Sequence, residues 1–306
     1  MASDHHGSRT PRPELASPLA SLALPELNVT LEGASVAGVE TWVRVPEWSI
    51  AVDIGRSPER AVRCKYLALT HAHMDHAGGL GQYLAMRRLY GHTPTTVFAP
   101  APICTELMGI VRAWERLHGF PFDFTLQPME PGQEVELDGG RFLRALPVHH
   151  VVPALGYAIV THPQRLRPEF HGLAEPELRE LRTQGIALST PQTRVLLAAS
   201  GDTRIDALDL APELLQAEVL LLETTYLDAT RTVADAHLGG HVHLNEVVAL
   251  AQAFAHTKRL VPYHISQMYA VADVRRILQA RLPAELWART TPLVVPGGQL
   301  PSQSTA

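Results

Sequence analysis

Six consecutive residues constrain this chain more than any other stretch: His71-Ala-His73-Met-Asp75-His76, preceded by Thr70 and followed by Ala77-Gly78-Gly79-Leu80. They come directly after Tyr66-Leu-Ala-Leu-Thr70, a short apolar run suited to a buried strand. In extended chain, side chains two apart share a direction, so His71 and His73 can address one ion. The chain is then expected to curl toward a helix over residues 80–89, which swings Asp75 and His76 to the other side and toward a second ion. Imidazole and carboxylate are ligands that zinc accepts, and manganese or iron tolerates the same set. The paired glycines are expected to let the backbone bend sharply and the helix begin close against a sheet. A polar loop that collects histidines by chance is the plain alternative. Four metal-competent side chains in six residues, with partners downstream, argue against it.

The rest of the chain supplies a scaffold. Strand patterns run through 27–53, then recur at 66–70, 97–99, 155–160, 195–199, 219–223 and 259–263, with a hairpin at 135–148 turned on Asp138-Gly-Gly140. Helical spacing covers 80–89, 103–118, 245–256 and 271–282, while 162–193 reads as irregular and partly helical. No Gly-, Ser- or Pro-rich linker and no internal repeat divides the chain. The expectation is one layered α/β domain over residues 27–296, between a loose N-terminal tail of residues 1–26 and a polar C-terminal tail of residues 297–306.

Composition narrows the functional classes. A net charge of -5 argues against a protein that coats nucleic acid non-specifically, although a local basic patch is compatible with it. The two cysteines, Cys64 and Cys104, are far apart and in no metal-like spacing, which excludes a disulfide framework and suits a reducing cytoplasm. No apolar run approaches the ~20 residues of a membrane helix. The polar stretch from Met1 to Pro13 has no apolar segment of a secretory signal.

Thr70 to Leu80 resembles the signature of the metallo-β-lactamase superfamily, and Asp53 in Ala51-Val-Asp-Ile-Gly55 resembles the strand-end aspartate that precedes it. Three later motifs resemble the ribonuclease Z branch, the tRNA 3′-endonucleases. They are His150-Val-Val-Pro153-Ala-Leu-Gly156-Tyr157, Ser200-Gly201-Asp202-Thr203 and Tyr263-His264-Ile-Ser266-Gln-Met-Tyr269. The resemblance spans about Leu27 to Leu282 and implies a four-layer αβ/βα sandwich with the site at the sheet ends. It implies that His71, His73 and His150 hold one divalent cation and that Asp75, His76 and His264 hold another, with Asp202 bridging. Zinc is the expected ion; Mn2+ or Fe2+ would fit. Each later residue has a competing reading: His149 beside His150, a turn cap for Asp202, a core hydrogen bond for His264.

Two cations clamped around a water lower its pKa toward neutrality and stabilise a phosphoryl oxygen. On the resemblance, Asp75 positions that water and accepts its proton. Glu223, at the end of the apolar run 219–222, orients His241, which protonates the leaving alkoxide. His243 stands where many relatives carry a small hydroxyl residue and competes with His241. The implied enzyme is a metal-dependent phosphodiesterase that processes tRNA precursors, and its relatives are commonly homodimers. Two features depart from that branch. Residues 158–194 are short for the family's tRNA-binding arm, with Arg165, Arg167, Arg179, Arg182 and Arg194 interleaved among Glu169, Glu175, Glu177 and Glu180; with the acids so close, a solvated mixed-charge helix explains them slightly better than a reduced RNA-contacting arm. Met268 replaces an arginine usual in the last motif. A hydrolase of the same fold acting on a small phosphodiester, cyclic nucleotide or ester therefore stays open, as does a non-catalytic metal-binding module.

Overall fold

The computed structural model describes residues 19–92 and 94–294. Its first sheet begins with β1 (Ala20–Leu24), β2 (Val29–Ala37), β3 (Glu40–Val45) and β4 (Ile50–Val52), then, past helix α1 (Glu59–Val62), β5 (Tyr66–Ala68). The chain continues through α2 (Met74–Ala77) and α3 (Leu80–Leu89), β6 (Thr95–Pro100), α4 (Cys104–His118) and β7 (Phe124–Met129). The second sheet opens with β8 (Glu134–Leu137), β9 (Arg141–Pro147) and β10 (Leu155–Thr161). An excursion follows, made of β11 (Gln164–Leu166), α5 (Glu175–Thr183) and β12 (Ser189–Pro191). The chain re-enters the sheet as β13 (Arg194–Ala199) and adds α6 (Ala207–Leu210), α7 (Glu213–Gln216) and β14 (Val219–Glu223). Then come α8 (Val233–Gly239), α9 (Leu244–Ala249), β15 (Arg259–Tyr263), β16 (Ile265–Ser266), α10 (Val271–Arg281) and α11 (Ala284–Trp287).

Strands β1 to β7 lie side by side in chain order, and β16 crosses over to join them on β2. The six-stranded sheet has the order β15-β14-β13-β10-β9-β8, and β11 pairs only with β12. Side-chain alternation makes the layers. On β5, Tyr66 and Ala68 face the core between the two sheets, whereas Leu67 and Leu69 face the layer that contains α3 and α4. On β14, Val219 and Leu221 join the same inter-sheet core, whereas Leu220 and Leu222 pack against the helices that follow. A strand buried on both faces must be largely apolar, as β5 and residues 219–222 of β14 are. Burying one such leucine stabilises the fold by about 1.5–3 kcal/mol. The result is the expected four-layer αβ/βα sandwich.

Several local expectations change. The N-terminal tail does not extend to residue 26, because β1 pairs with β2 in register Ala20↔Gly33 through Leu24↔Val29, burying Ala20 and Leu24. Pro25 follows a strand rather than lying in a loose segment. The expected tail over residues 1–18 and the C-terminal tail of 297–306 lie outside the described residues. β7 was not anticipated; as the last strand on its path it is an edge strand, where Pro128 is tolerated and the alternation is weak. The helix expected over 245–256 leaves helical geometry at Leu250 and continues as a tighter 3-10 segment that carries Phe254 into the core. Among the described residues, no helix is long and apolar enough to cross a membrane.

Candidate metal centre

The candidate residues lie at strand ends, in loops or, for Asp75 and His76, in the short helix α2, all on one edge of the sandwich. β5 runs out into His71, β13 into Asp202, β14 ends on Glu223 and β15 runs out into His264. His150 comes from the β9–β10 connection and His241 from the link between α8 and α9. This follows the rule that α/β sheets carry their chemistry beyond the carboxyl ends of parallel strands. Two of the non-glycine residues here adopt left-handed backbone, Asp53 with φ 58° and His264 with φ 56°. Such conformations cost free energy and persist only where the surroundings impose them. At His264 the backbone N–H donates to Ser35 Oγ at 2.9 Å, which pins the turn.

The side chains converge. Donor atoms of His71, His73, His150 and Asp202 lie within 4.8 Å of one another; so do those of Asp75, His76 and His264, and those of Asp202, His241 and His264. His150 Nε2 and His73 Nδ1 are 3.4 Å apart, and His76 Nε2 and His264 Nε2 are 3.2 Å apart. Asp202 faces both groups, with Oδ1 3.4 Å from His76 Nε2 and Oδ2 3.3 Å from His264 Nε2 and 3.7 Å from His71 Nε2. Asp75 Oδ2 lies 3.5 Å from His264 Nε2 and 3.6 Å from His76 Nε2.

Most of these separations exceed a good hydrogen bond. They match the ~3.3–3.4 Å edge of a tetrahedron whose ligands stand ~2.0–2.1 Å from a central ion. His71 Nε2 and Asp202 Oδ1 are buried and have no hydrogen-bond partner. A buried polar atom left unpaired costs ~1–3 kcal/mol, and cations between the groups would satisfy both atoms. The residues therefore fit metal ions.

The far sides of the His71, His76, His150 and His264 imidazoles are tied down, which selects the nitrogen that points inward. His76 Nδ1–H donates to Asp53 Oδ2 at 2.8 Å, and Asp53 also accepts from Thr70 N–H at 2.7 Å. Thr70 Oγ1 lies 3.0 Å from His71 Nδ1. His150 Nδ1–H donates to Gly240 O at 3.1 Å; a Cβ at Gly240 would stand 2.7 Å from His150 Nδ1, so only glycine allows this approach. Thr225 Oγ1 lies 3.1 Å from His264 Nδ1 and 2.9 Å from Glu223 Oε2. Asp75 Oδ2 accepts from Gly38 N–H at 2.8 Å, in the turn between β2 and β3. Thr225, Gly38 and Gly240 had no sequence signal, since only the folded chain joins position 38 to 75, or 240 to 150.

Electrostatics suit ligation. Burial pushes His71 down to about 2 and His150 down to about 4, so both present lone pairs. Burial alone would raise Asp202, but the facing His264 and His76 hold it well below the usual carboxylate range. Burial raises Asp53 against the pull of His76 and Thr70.

Beside the cluster, His241 Nδ1 is 3.0 Å from Glu223 Oε1, which also accepts from Val242 N–H at 3.1 Å and Thr203 N–H at 3.2 Å. Burial lowers His241, but the Glu223 carboxylate outweighs it and holds the imidazole up at about 9. His243 is spent elsewhere. Its Nδ1 accepts from Asn245 N–H at 3.0 Å, capping α9, and its Nε2–H donates to Asp228 O and Arg231 O. It thus caps the helix as a small hydroxyl residue would. His149, the rival of His150, points away and pairs with Asp206 at 2.8 Å. The two glycines after His76 have ordinary helical backbone, φ −57° and −78°. Their role is space: a Cβ at Gly78 would sit 2.4 Å from Met74 O, and one at Gly79 would sit 2.5 Å from Ser57 N.

The fold and this cluster of histidines and aspartates define a metal-dependent hydrolase of the metallo-β-lactamase fold, and the β-lactamase superfamily domain profile matches residues 52–265. The solved YhfI protein of Bacillus subtilis shares the fold, with a TM-score of 0.58 and 12% identity over 86% of this chain and 94% of that one. Within the superfamily the chain belongs to the tRNase Z family. It is 32% identical over 261 residues to tRNase Z TRZ1 of Arabidopsis thaliana, covering 85% of this chain and 92% of the relative. It is 31% identical over 269 residues to the chloroplastic tRNase Z TRZ2 of the same plant, covering 87% and 75%.

Proposed function

We propose that this chain is a dinuclear, zinc-dependent endoribonuclease that cleaves a phosphodiester in tRNA precursors. The observation that carries the reading is the convergence of His71, His73, His150, Asp75, His76, His264 and Asp202 beside the Glu223–His241 pair. His71, His73 and His150 would hold one ion and Asp75, His76 and His264 the other, with Asp202 between them. Bound there, the ions would supply an acidified water and positive charge for the phosphoryl oxygens. Asp75, fixed by Gly38 N–H, takes the proton of the attacking water. His241, oriented by Glu223, delivers a proton to the departing oxygen. Thr225 couples Glu223 to His264, so one buried carboxylate orders both a ligand and the acid.

The excursion of β11, α5 and β12 is the counterpart of an RNA-contacting arm in this reading, with Arg165 and Arg179 exposed on it. The free, buried cysteines agree with a reducing compartment such as the cytoplasm. A homodimer belongs to the same reading on the family resemblance, and mass photometry tests it.

A second reading is favoured by one observation: Arg182 pairs with Glu175 at 3.1 Å and Arg167 with Glu169 at 2.6 Å, so much of the arm's positive charge is spent internally. A small diester would then be the substrate. One panel separates the two. Protein with measured Zn, Mn and Fe content is given a pre-tRNA transcript with a 3′ extension and bis(p-nitrophenyl) phosphate, alongside Asp202→Ala. Release of the intact trailer by the parent protein only is the expected result. Turnover of the small diester with the transcript left whole would overturn the RNA reading.

A further inference from the structure

The cluster does not account for His149. Its side chain is 45% exposed, yet Nδ1 is held against Asp206 Oδ2 at 2.8 Å, while its backbone N–H donates to Thr203 Oγ1 at 2.9 Å and its carbonyl accepts from Arg204 N–H at 2.9 Å. An ion pair this exposed adds little to stability. What it does is fix the ring's orientation. His149 and the adjacent ligand candidate His150 both line one cavity of about 290 Å³, whose other walls include Pro100, Pro102, Pro131, Pro153 and Val152. Proline rings have few conformations to lose, so such walls are shaped before anything binds. The volume is just below the roughly 300–1,000 Å³ usual for small-molecule sites, room for one flat heterocycle.

We infer that this cavity is a nucleobase subsite: it receives the base of one of the two nucleotides joined by the scissile bond, stacked on the His149 imidazole. The inference rests on the endoribonuclease reading. Because His150 belongs to both the cavity and the metal cluster, a phosphate at the cluster places its own nucleoside within reach of the cavity. Extruded single-stranded bases are commonly held by stacking on aromatic rings, histidine included. The carboxylate of Glu130, an exposed residue that also lines the cavity, can accept from a base's exocyclic amine. Asp206 is then a positioning residue that sets the ring's plane.

The test uses zinc-loaded protein and RNA substrates with 2-aminopurine at either nucleotide flanking the cleavage site, and a methylphosphonate at the scissile position to block cleavage. Binding is expected to quench the fluorophore at one of the two positions only. His149→Ala is expected to abolish the quenching and weaken binding roughly 5- to 150-fold, the range for loss of one stacked base. His149→Phe, which keeps a ring, is expected to restore both; a merely structural role for His149 would not show that rescue. Val152→Trp, which fills the cavity, is expected to act like His149→Ala while metal content and the circular dichroism spectrum stay unchanged. Equal affinity of His149→Ala for the RNA, with quenching retained, would overturn the subsite while leaving the enzyme reading intact. Failure of the parent protein to bind or cleave any RNA would instead remove the endoribonuclease reading, and the subsite with it.

Discussion

The metal cluster and the excursion formed by β11, α5 and β12 use the same chemical vocabulary in opposite ways. In the cluster, imidazoles and carboxylates from distant segments meet, and His76, His150 and His264 are tied from behind by a carboxylate, a carbonyl and a hydroxyl. In the excursion, arginines and glutamates near in sequence neutralise one another in solvent, with Leu178 and Leu188 its few buried side chains. Charges taken out of water become strong and position-specific, whereas the same charges left in water are screened and replaceable. The cluster is therefore suited to a chemical step that tolerates no displacement. The excursion suits a contact whose strength adds up from small, salt-dependent contributions.

That contrast can be broken most severely at the cluster. Asp202→Ala is expected to lower kcat/KM on the order of 10⁴-fold or more, since a metal site supplies several kcal/mol of transition-state stabilisation; inductively coupled plasma measurement should show metal lost as well. His241→Gln is expected to cost about 10²- to 10³-fold in kcat with metal content unchanged, because an acid is removed and no first ligand of either ion. Retention of full activity would remove His241 from the mechanism. Asp53→Asn leaves a partner for His76 but no anion, so metal affinity should fall roughly 10- to 100-fold, read by chelator competition. Arg165→Ala with Arg179→Ala should weaken RNA binding only a few-fold and flatten the salt dependence by about 2 in log–log slope; an effect as large as that of His241→Gln would erase the distinction.

The smallest effect lies where the excursion leaves the sheet. Burial would raise the Glu134 carboxyl, but Arg144 and His162 hold it below its ordinary value. A carboxylate depressed by folding contributes stability above its unfolded pKa and loses it as pH falls through the folded value. The urea midpoint should therefore drop between about pH 5 and pH 3, and Glu134→Gln should flatten that drop slightly. The RNA-cleaving step should be indifferent to this substitution.

How much was legible in advance differs residue by residue. The stretch from Thr70 to Leu80 could be read because its donors are neighbours in sequence and follow a strand, so local geometry alone aims them. The helix at Leu80–Leu89 and the strands at Val219–Glu223 and Arg259–Tyr263 were legible for a similar reason: apolar periodicity is a local record of burial. β1 and β7 were not, because their pairing with a neighbour outweighs the prolines around them. His241 and His243 could not be told apart along the chain, being two residues on the same loop. Only the placement of Glu223 against one, and of the α9 N-terminus against the other, separates them.

Residue types and their spacing by themselves determined a layered α/β architecture and the metal-competent loop from His71 to His76, because alternation and ligand chemistry are properties of short segments; His150, Asp202 and His264 came only from the family resemblance. Tertiary structure alone decided which nitrogen of each imidazole faces inward, why Gly240 cannot carry a side chain, and that His149 turns out of the cluster to line a cavity. Those outcomes depend on angles and angstroms between distant segments, for example Ser35 and His264, 229 positions apart. Hydrogen bonds weaken steeply with such displacements, so only the packed molecule can set them.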